Sequence, residues 1–269
     1  MPVDHYENFP VASLLLPARL RRPIEIIYAF ARSADDFADE GDAPDRERQD
    51  KLGGYVAELD RIGSGEAPRL PLFQQVAEII AHHALPISLF YDLLDAFSQD
   101  VTKKRYANFN EVLDYCRRSA NPIGRLLLHL YNAAAPLNLA HSDSICSALQ
   151  LINFWQDIEA DFARNRVYLP RDDMSAYGIS EADIAARNFS PNWTALMQFQ
   201  CRRARTMLEY GRPLTRALPG RIGLELRFIV AGGNRILDKI DAASGDVFRH
   251  RPVMTRWDWL ALAPGALIA

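Results

Sequence analysis

The sequence predicts an all-α protein built as one domain. Three observations carry this. Apolar residues recur at helical spacing, as in Ile24, Ile27, Tyr28 and Ala31 and again in Leu126, Leu127, Leu130 and Tyr131. Alternating, strand-like runs are hard to find. The 269 residues are 49% hydrophobic, enough to bury a substantial core, and no linker or change of composition divides them, so one domain over residues 1–269 is expected.

The first helix is predicted over 20–40, where the Ile24 stripe runs into an acidic end. The second, over 45–62, stops at Gly63-Ser64-Gly65, whose backbone freedom opposes a helix. A third covers 70–83, and a fourth, over 86–97, opens at Pro86. A long fifth helix spans 109–134 and ends before Pro136; Asn121-Pro122 inside it should kink it and release backbone carbonyls. The sixth covers 141–163, ahead of Pro170. The seventh covers 190–217, opening at Pro191, and the eighth covers 219–243. The apolar tail from Trp257 to Ala269 is expected to lie across its own domain, with a membrane surface as the alternative.

Charge and cysteines exclude several functions. Lys+Arg 31 against Asp+Glu 34, a net charge of -3, gives no basic footprint for nucleic acid. Cys116, Cys146 and Cys201 are odd in number and far apart, which argues against a disulfide framework or a four-cysteine zinc site and fits a reducing cytoplasm. Leu14 to Leu16 is too short for a signal-peptide core. No apolar run reaches the ~18 residues of a spanning helix.

The chemistry concentrates in two acidic motifs. Arg32-Ser-Ala-Asp35-Asp36-Phe-Ala-Asp39 puts Asp35 and Asp39 one helical turn apart, flanked by Asp36. Two charges roughly 6 Å apart at an effective dielectric of about 20 repel by about 3 kcal/mol, which a hard cation such as Mg²⁺ would relieve. A single motif of this kind also reads as a solvated helix face. The second, Asn153-Phe-Trp-Gln156-Asp157-Ile-Glu159-Ala-Asp161, repeats the one-turn spacing within an apolar helix, and burying unpartnered carboxylates is costly. If both pairs face one cavity, they frame a metal-bound diphosphate. Arg32, Arg164 and Arg166 stand nearby with guanidinium groups that match phosphate oxygens; for Arg164 a simple pair with the neighbouring Asp is an equal alternative.

These residues resemble the head-to-head prenyl synthases, the family of squalene and phytoene synthases. The resemblance covers most of the chain: Asn8-Phe9, Leu15-Leu16-Pro17, Tyr28 through Asp39, Tyr115-Cys116, Gly124, Asn153 to Asp161, and Arg166-Val-Tyr168-Leu169-Pro170. It implies the isoprenoid-synthase helical bundle around a central apolar cavity, Mg²⁺ on both aspartate pairs and a prenyl diphosphate substrate. Carried over by position, Asp35, Asp36, Asp39, Asp157 and Asp161 would serve the metal. Asn8, Phe9, Arg32, Gln150, Asn153, Arg164 and Arg166 would serve the substrate, and Tyr28, Asn121, Gln156 and Tyr168 the chemistry.

Departures from the family pattern point to one branch. Asn8-Phe9-Pro10 stands where relatives usually have Ser-Phe-Ser, Gln156 where they have Arg, Ser119 to Gly124 where they carry Val-Ala-Gly before Val-Gly, and Gly232-Gly233-Asn234 where a tyrosine is common. These resemble the hopanoid-pathway hydroxysqualene synthases, which act on presqualene diphosphate and finish with water. Losing an arginine at Gln156 removes a fixed positive charge, and the Asn121 amide is a candidate to orient the water. Phe9, Phe30, Phe37 and Tyr28 are candidates to face a cation. No nicotinamide fingerprint is present, so NADPH is not expected. The apolar product implies transient contact with the inner membrane or a neighbouring pathway enzyme. Condensation of two farnesyl diphosphates remains the alternative within the family, and a non-catalytic lipid-binding module the alternative outside it. A di-iron bundle is disfavoured, because no Glu has His three residues later.

Overall fold

The computed structural model describes residues 17–39, 41–249 and 251–268. Among them the chain forms fourteen helices and no strand; Arg105 and Val167 make one isolated parallel bridge. The helices are α1 (Ala18–Asp39), α2 (Asp45–Gly63), α3 (Pro71–His83), α4 (Ser88–Thr102), α5 (Phe109–Ser119), α6 (Asn121–Leu130) and α7 (Pro136–Gln156). They continue as α8 (Ile158–Ala163), α9 (Arg171–Ala176), α10 (Glu181–Ala185), α11 (Pro191–Gly211), α12 (Leu214–Ala217), α13 (Gly220–Ala242) and α14 (Arg256–Ile268).

Three predicted helices are divided, each for a local reason. The 109–134 helix breaks at Ala120, and Pro122 sits in the first turn of a new helix rather than kinking an old one, because a proline nitrogen needs no partner there. Pro213, unable to donate, separates α11 from α12. The third division, at Asp157, is mild: Asp157 N donates to Asn153 O at 3.0 Å and Asp161 N to Asp157 O at 2.8 Å, so the one-turn spacing of the two carboxylates survives. The short helices α9 and α10 and the helical form of the tail were not predicted.

Local caps explain several starts. Asn108 accepts from Glu111 N at the head of α5, and Ser190 from Trp193 N at the head of α11, where Pro191 follows. Thr255 and Asp258 cap α14 reciprocally, with Thr255 N 2.8 Å from Asp258 Oδ2 and Asp258 N 3.3 Å from Thr255 Oγ1. Asp258 also meets Arg235 Nε at 2.8 Å and Lys239 Nζ at 2.5 Å on α13. The tail therefore docks on its own domain, as expected, while Trp257 (80% exposed) and Leu260 (64%) stay outside.

Helix α7 is the centre of the larger apolar cluster, contacted by α5, α6, α11 and α13. Close approach requires glycine. A Cβ on Gly124 would lie 2.4 Å from Ser142 Oγ, so α6 reaches α7 only without one. A second cluster joins α1 to α4 around Phe30, Phe73, Phe90 and Leu93. Phe30 is fully buried there and Phe37 packs on Tyr55, so both belong to that core. The acidic ends of α1 and α7 meet between the two clusters. No helix among the described residues is long and apolar enough to cross a membrane.

Candidate active site

The two acidic motifs line one hollow. Helix α1 contributes Asp35 and Asp39, α4 Asp100 and α5 Tyr115. Helix α7 adds Gln150, Asn153 and Phe154, followed by Asp157 and Asp161, and the segment after α8 supplies Arg164, Arg166 and Tyr168. The volume is about 180 Å³, below the roughly 300–1,000 Å³ of a typical organic-ligand site. Tyr168, stacked flat on Phe154 with ring centroids 3.7 Å apart, fills part of the hollow's wall.

A tight turn delivers the arginines. Asn165 closes α8 in the left-handed conformation at φ 60°, which asparagine tolerates, and Arg166 N returns to Asp161 O at 2.8 Å. Arg105 Nη2 holds Asn165 Oδ1 at 3.0 Å, and Val167 N bonds Lys104 O at 3.0 Å, so the chain leaving the turn is pinned against the end of α4. Arg166 is consequently buried. It spans to Asp39 with Nη1 2.7 Å from Oδ2 and a second contact from Nη2 to Oδ1.

Negative charge dominates the hollow. Burial, reinforced by Asp39, pushes the Asp35 carboxyl up to about 7. Burial and Asp157 do the same to Asp161, also to about 7. Asp100, buried on α4, is raised to about 7 by desolvation even though Tyr115 OH donates to its Oδ2 at 2.5 Å; its Oδ1 is buried without a hydrogen-bond partner. Such groups hold protons more tightly than exposed acids and invite a compensating cation.

Most predicted site residues converge: Asp35, Asp39, Gln150, Asn153, Asp157, Asp161, Arg164, Arg166 and Tyr168 all line the hollow. Arg166 pairs across to the first motif rather than with its neighbour Asp161, and Arg164 makes no ion pair among the described residues. Others lie elsewhere. Arg32 pairs with Asp36 at 2.8 Å and also reaches Asp35 at 3.5 Å, although neither Arg32 nor Asp36 lines the hollow. Tyr28 shares their helix face, two turns before Asp35, and also does not line it. Asn121, expected to orient a water, is buried and its Oδ1 accepts from Ser147 Oγ at 2.8 Å. That bond serves the packing of α6 on α7. Gln156 is buried outside the hollow and its Nε2 donates to Pro252 O. The expected loss of positive charge there is corrected by Arg251, which pairs with Asp157, Nη2 to Oδ2 at 3.0 Å. Asn8 and Phe9 lie outside the described residues.

The sequence reading missed Asp100 and Arg251. Each is a single charged residue outside any repeated spacing, so no local signal marks it.

The donor set fits a hard divalent cation in chemistry. Among the described residues no three His, Cys, Asp or Glu side chains converge as a ready cage, and Asp39, Asp157 and, at 3.5 Å, Asp35 each meet an arginine. Mg²⁺ does not need such a cage. It commonly takes one or two carboxylates and completes its shell with water and phosphate oxygens. Asp35 and Asp161, both raised by burial and by neighbouring acids, are the carboxylates that most need a cation.

The chain is similar to known proteins over most of its length. Hydroxysqualene synthase of Rhodopseudomonas palustris is 38% identical over 233 residues, covering 86% of this chain and 78% of that protein. Hydroxysqualene synthase of Sinorhizobium fredii is 34% identical over 263 residues, covering 97% and 88%. The crystal structure of squalene synthase HpnC from Alicyclobacillus acidocaldarius superposes with a TM-score of 0.83 at 35% identity, over 89% of this chain and 90% of that one. Residues 3–258 match the squalene/phytoene synthase family profile, and with both acidic motifs lining one hollow, the chain belongs to the squalene/phytoene synthase family.

Proposed function

We propose that the protein converts presqualene diphosphate and water to hydroxysqualene and diphosphate. The observation that carries this reading is a single hollow where carboxylates of both motifs meet Arg164 and Arg166, in a chain whose relatives are named hydroxysqualene synthase. Asp35 and Asp161, with Asp39 and Asp157 beside them, would hold Mg²⁺, which when bound neutralises charge developing on the departing diphosphate. Arg164 would bind its oxygens with a planar donor fork, beside Arg166, whose own fork is held by Asp39. Gln150 and Asn153 offer neutral amides that orient the head group without adding charge. The carbon–oxygen bond to diphosphate breaks, with its electron pair leaving on diphosphate. The cyclopropylcarbinyl cation rearranges to an allylic cation, and one water forms the new carbon–oxygen bond and releases a proton. No hydride is consumed, so the reading includes no NADPH.

A released C30 alcohol is strongly apolar, and the reading therefore includes transient contact of a cytoplasmic protein with the inner membrane or a neighbouring pathway enzyme. Exposed Trp257 and Leu260 provide apolar surface for it. The test is product analysis by gas chromatography and mass spectrometry after incubation with Mg²⁺ and either presqualene diphosphate or farnesyl diphosphate, with and without NADPH. Hydroxysqualene from presqualene diphosphate alone, independent of NADPH, is expected. Presqualene diphosphate or squalene made from farnesyl diphosphate would overturn the water-terminated reading in favour of condensation.

A further inference from the structure

The connection between α13 and α14 touches the second acidic motif in register. Gln156 Nε2 donates to the carbonyl of Pro252, and Asp157, the residue after Gln156, forms an ion pair with Arg251, the residue before Pro252. The two contacts differ in character. Gln156 is 2% exposed and Pro252 is buried, so an uncharged amide satisfies a carbonyl where a charge would be costly to bury. The Arg251 and Asp157 side chains keep 24% and 29% of their surface, and Asp157 lines the hollow, so the ion pair stands at its edge. Beyond it the segment is fixed again, by Lys239 Nζ on Val253 O at 2.7 Å and by Asp258 on α13.

We propose that Gln156 is a positioning residue that anchors the α13–α14 connection so that Arg251 supplies, from the far end of the chain, the positive charge at the second acidic motif. The positive charge that the family resemblance places at position 156 stands at Arg251 instead. Its ligand class is a diphosphate ester, whose oxygen pairs match the guanidinium fork as a carboxylate does. The inference rests on the proposed diphosphate chemistry of the same hollow, and it assigns a division of labour there: a neutral anchor on α7 and a charge on the connection.

The test uses the full chain with inorganic pyrophosphate and Mg²⁺ in isothermal titration calorimetry, alongside hydrogen exchange of residues 251–265. Arg251→Gln and Gln156→Met are each expected to weaken pyrophosphate binding about tenfold, the size of one charge-assisted hydrogen bond. Gln156→Met should also speed exchange in the connection. Because Gln156 acts through Arg251, the double variant should bind no more weakly than Arg251→Gln alone. A purely structural glutamine would instead give losses that multiply to about a hundredfold. Multiplying losses, or unchanged affinity in Gln156→Met, overturns the proposal. If Gln156→Met loses its cooperative helical melt, Gln156→Asn, which keeps the amide but shortens its reach, is read by the same outcomes. Wild-type protein that binds no pyrophosphate with Mg²⁺ would overturn the diphosphate reading itself, whereas wild-type binding with multiplying losses overturns only the positioning role.

Discussion

Arg166 forms a two-pronged ion pair with Asp39, a residue 127 positions earlier in the chain, and so ties the turn after α8 to the end of α1. Both side chains are largely withdrawn from solvent, at 9% and 19% exposure. The pair fixes the separation of the two acidic motifs and neutralises one of the carboxylates crowded around Asp35.

Arg166→Gln leaves Asp39 partly buried beside Asp35 without its counter-charge. The expected loss is about 2–3 kcal/mol of unfolding free energy, the range for hydrogen bonds to charged groups. It is read as a lower urea midpoint at unchanged slope. Arg166→Lys restores charge but not the fork, so it should recover only part of the loss. An unchanged midpoint in Arg166→Gln would mean the pair contributes nothing to stability.

Asp35→Asn and Asp157→Asn remove one carboxylate from each motif. Each variant is expected to abolish Mg²⁺-dependent turnover while its far-ultraviolet circular dichroism stays helical. Turnover at the wild-type rate in either would remove the two-motif mechanism.

The acids of the hollow set a pH dependence. Asp35 and Asp161 rise from 3.8 to about 7 on folding. A carboxyl raised by folding binds its proton more tightly in the native state, so its contribution is complete below about pH 4 and is lost as pH rises through about 7. Metal-free protein should therefore melt at a lower temperature near pH 8 than near pH 5. Asp35 and Asp161 both keep some contact with solvent, which reduces the share of each. In Asp161→Asn the difference between the two melting temperatures should shrink; an equal difference would contradict the assignment.

Gly124→Ala tests the packing of α6 on α7. The new Cβ would fall 2.4 Å from Ser142 Oγ and 2.5 Å from Cys146 Sγ, closer than real contacts allow. Helix α6 must shift, at about 1–3 kcal/mol. Thermal melts resolve that easily, and a wild-type melting temperature would show that the two side chains move aside freely.

Legibility in the sequence followed the range of each interaction. The stripe from Ile24 to Ala31 marked α1 because a helix repeats its face every three or four residues. The division at Ala120 was missed because Pro122 reads equally as a kink or a start, and only the packing of α6 against α7 decides between them. Asp35, Asp39, Asp157 and Asp161 were visible as paired carboxylates at one-turn spacing. Asp100 was not, since a lone acid near a helix end carries no pattern until Tyr115 and the hollow surround it.

The sequence alone determined the helical class, the two acidic pairs and the arginines that follow the second, since each depends on neighbours within about one turn. Only the tertiary structure decided the partners: Arg166 with Asp39 instead of Asp161, Arg251 with Asp157, Asn121 with Ser147 and Gln156 with Pro252. The reason is physical. Charge and hydrogen-bond partners are chosen by proximity in space, and that proximity exists only after α1, α7 and the α13–α14 connection have packed around a common core.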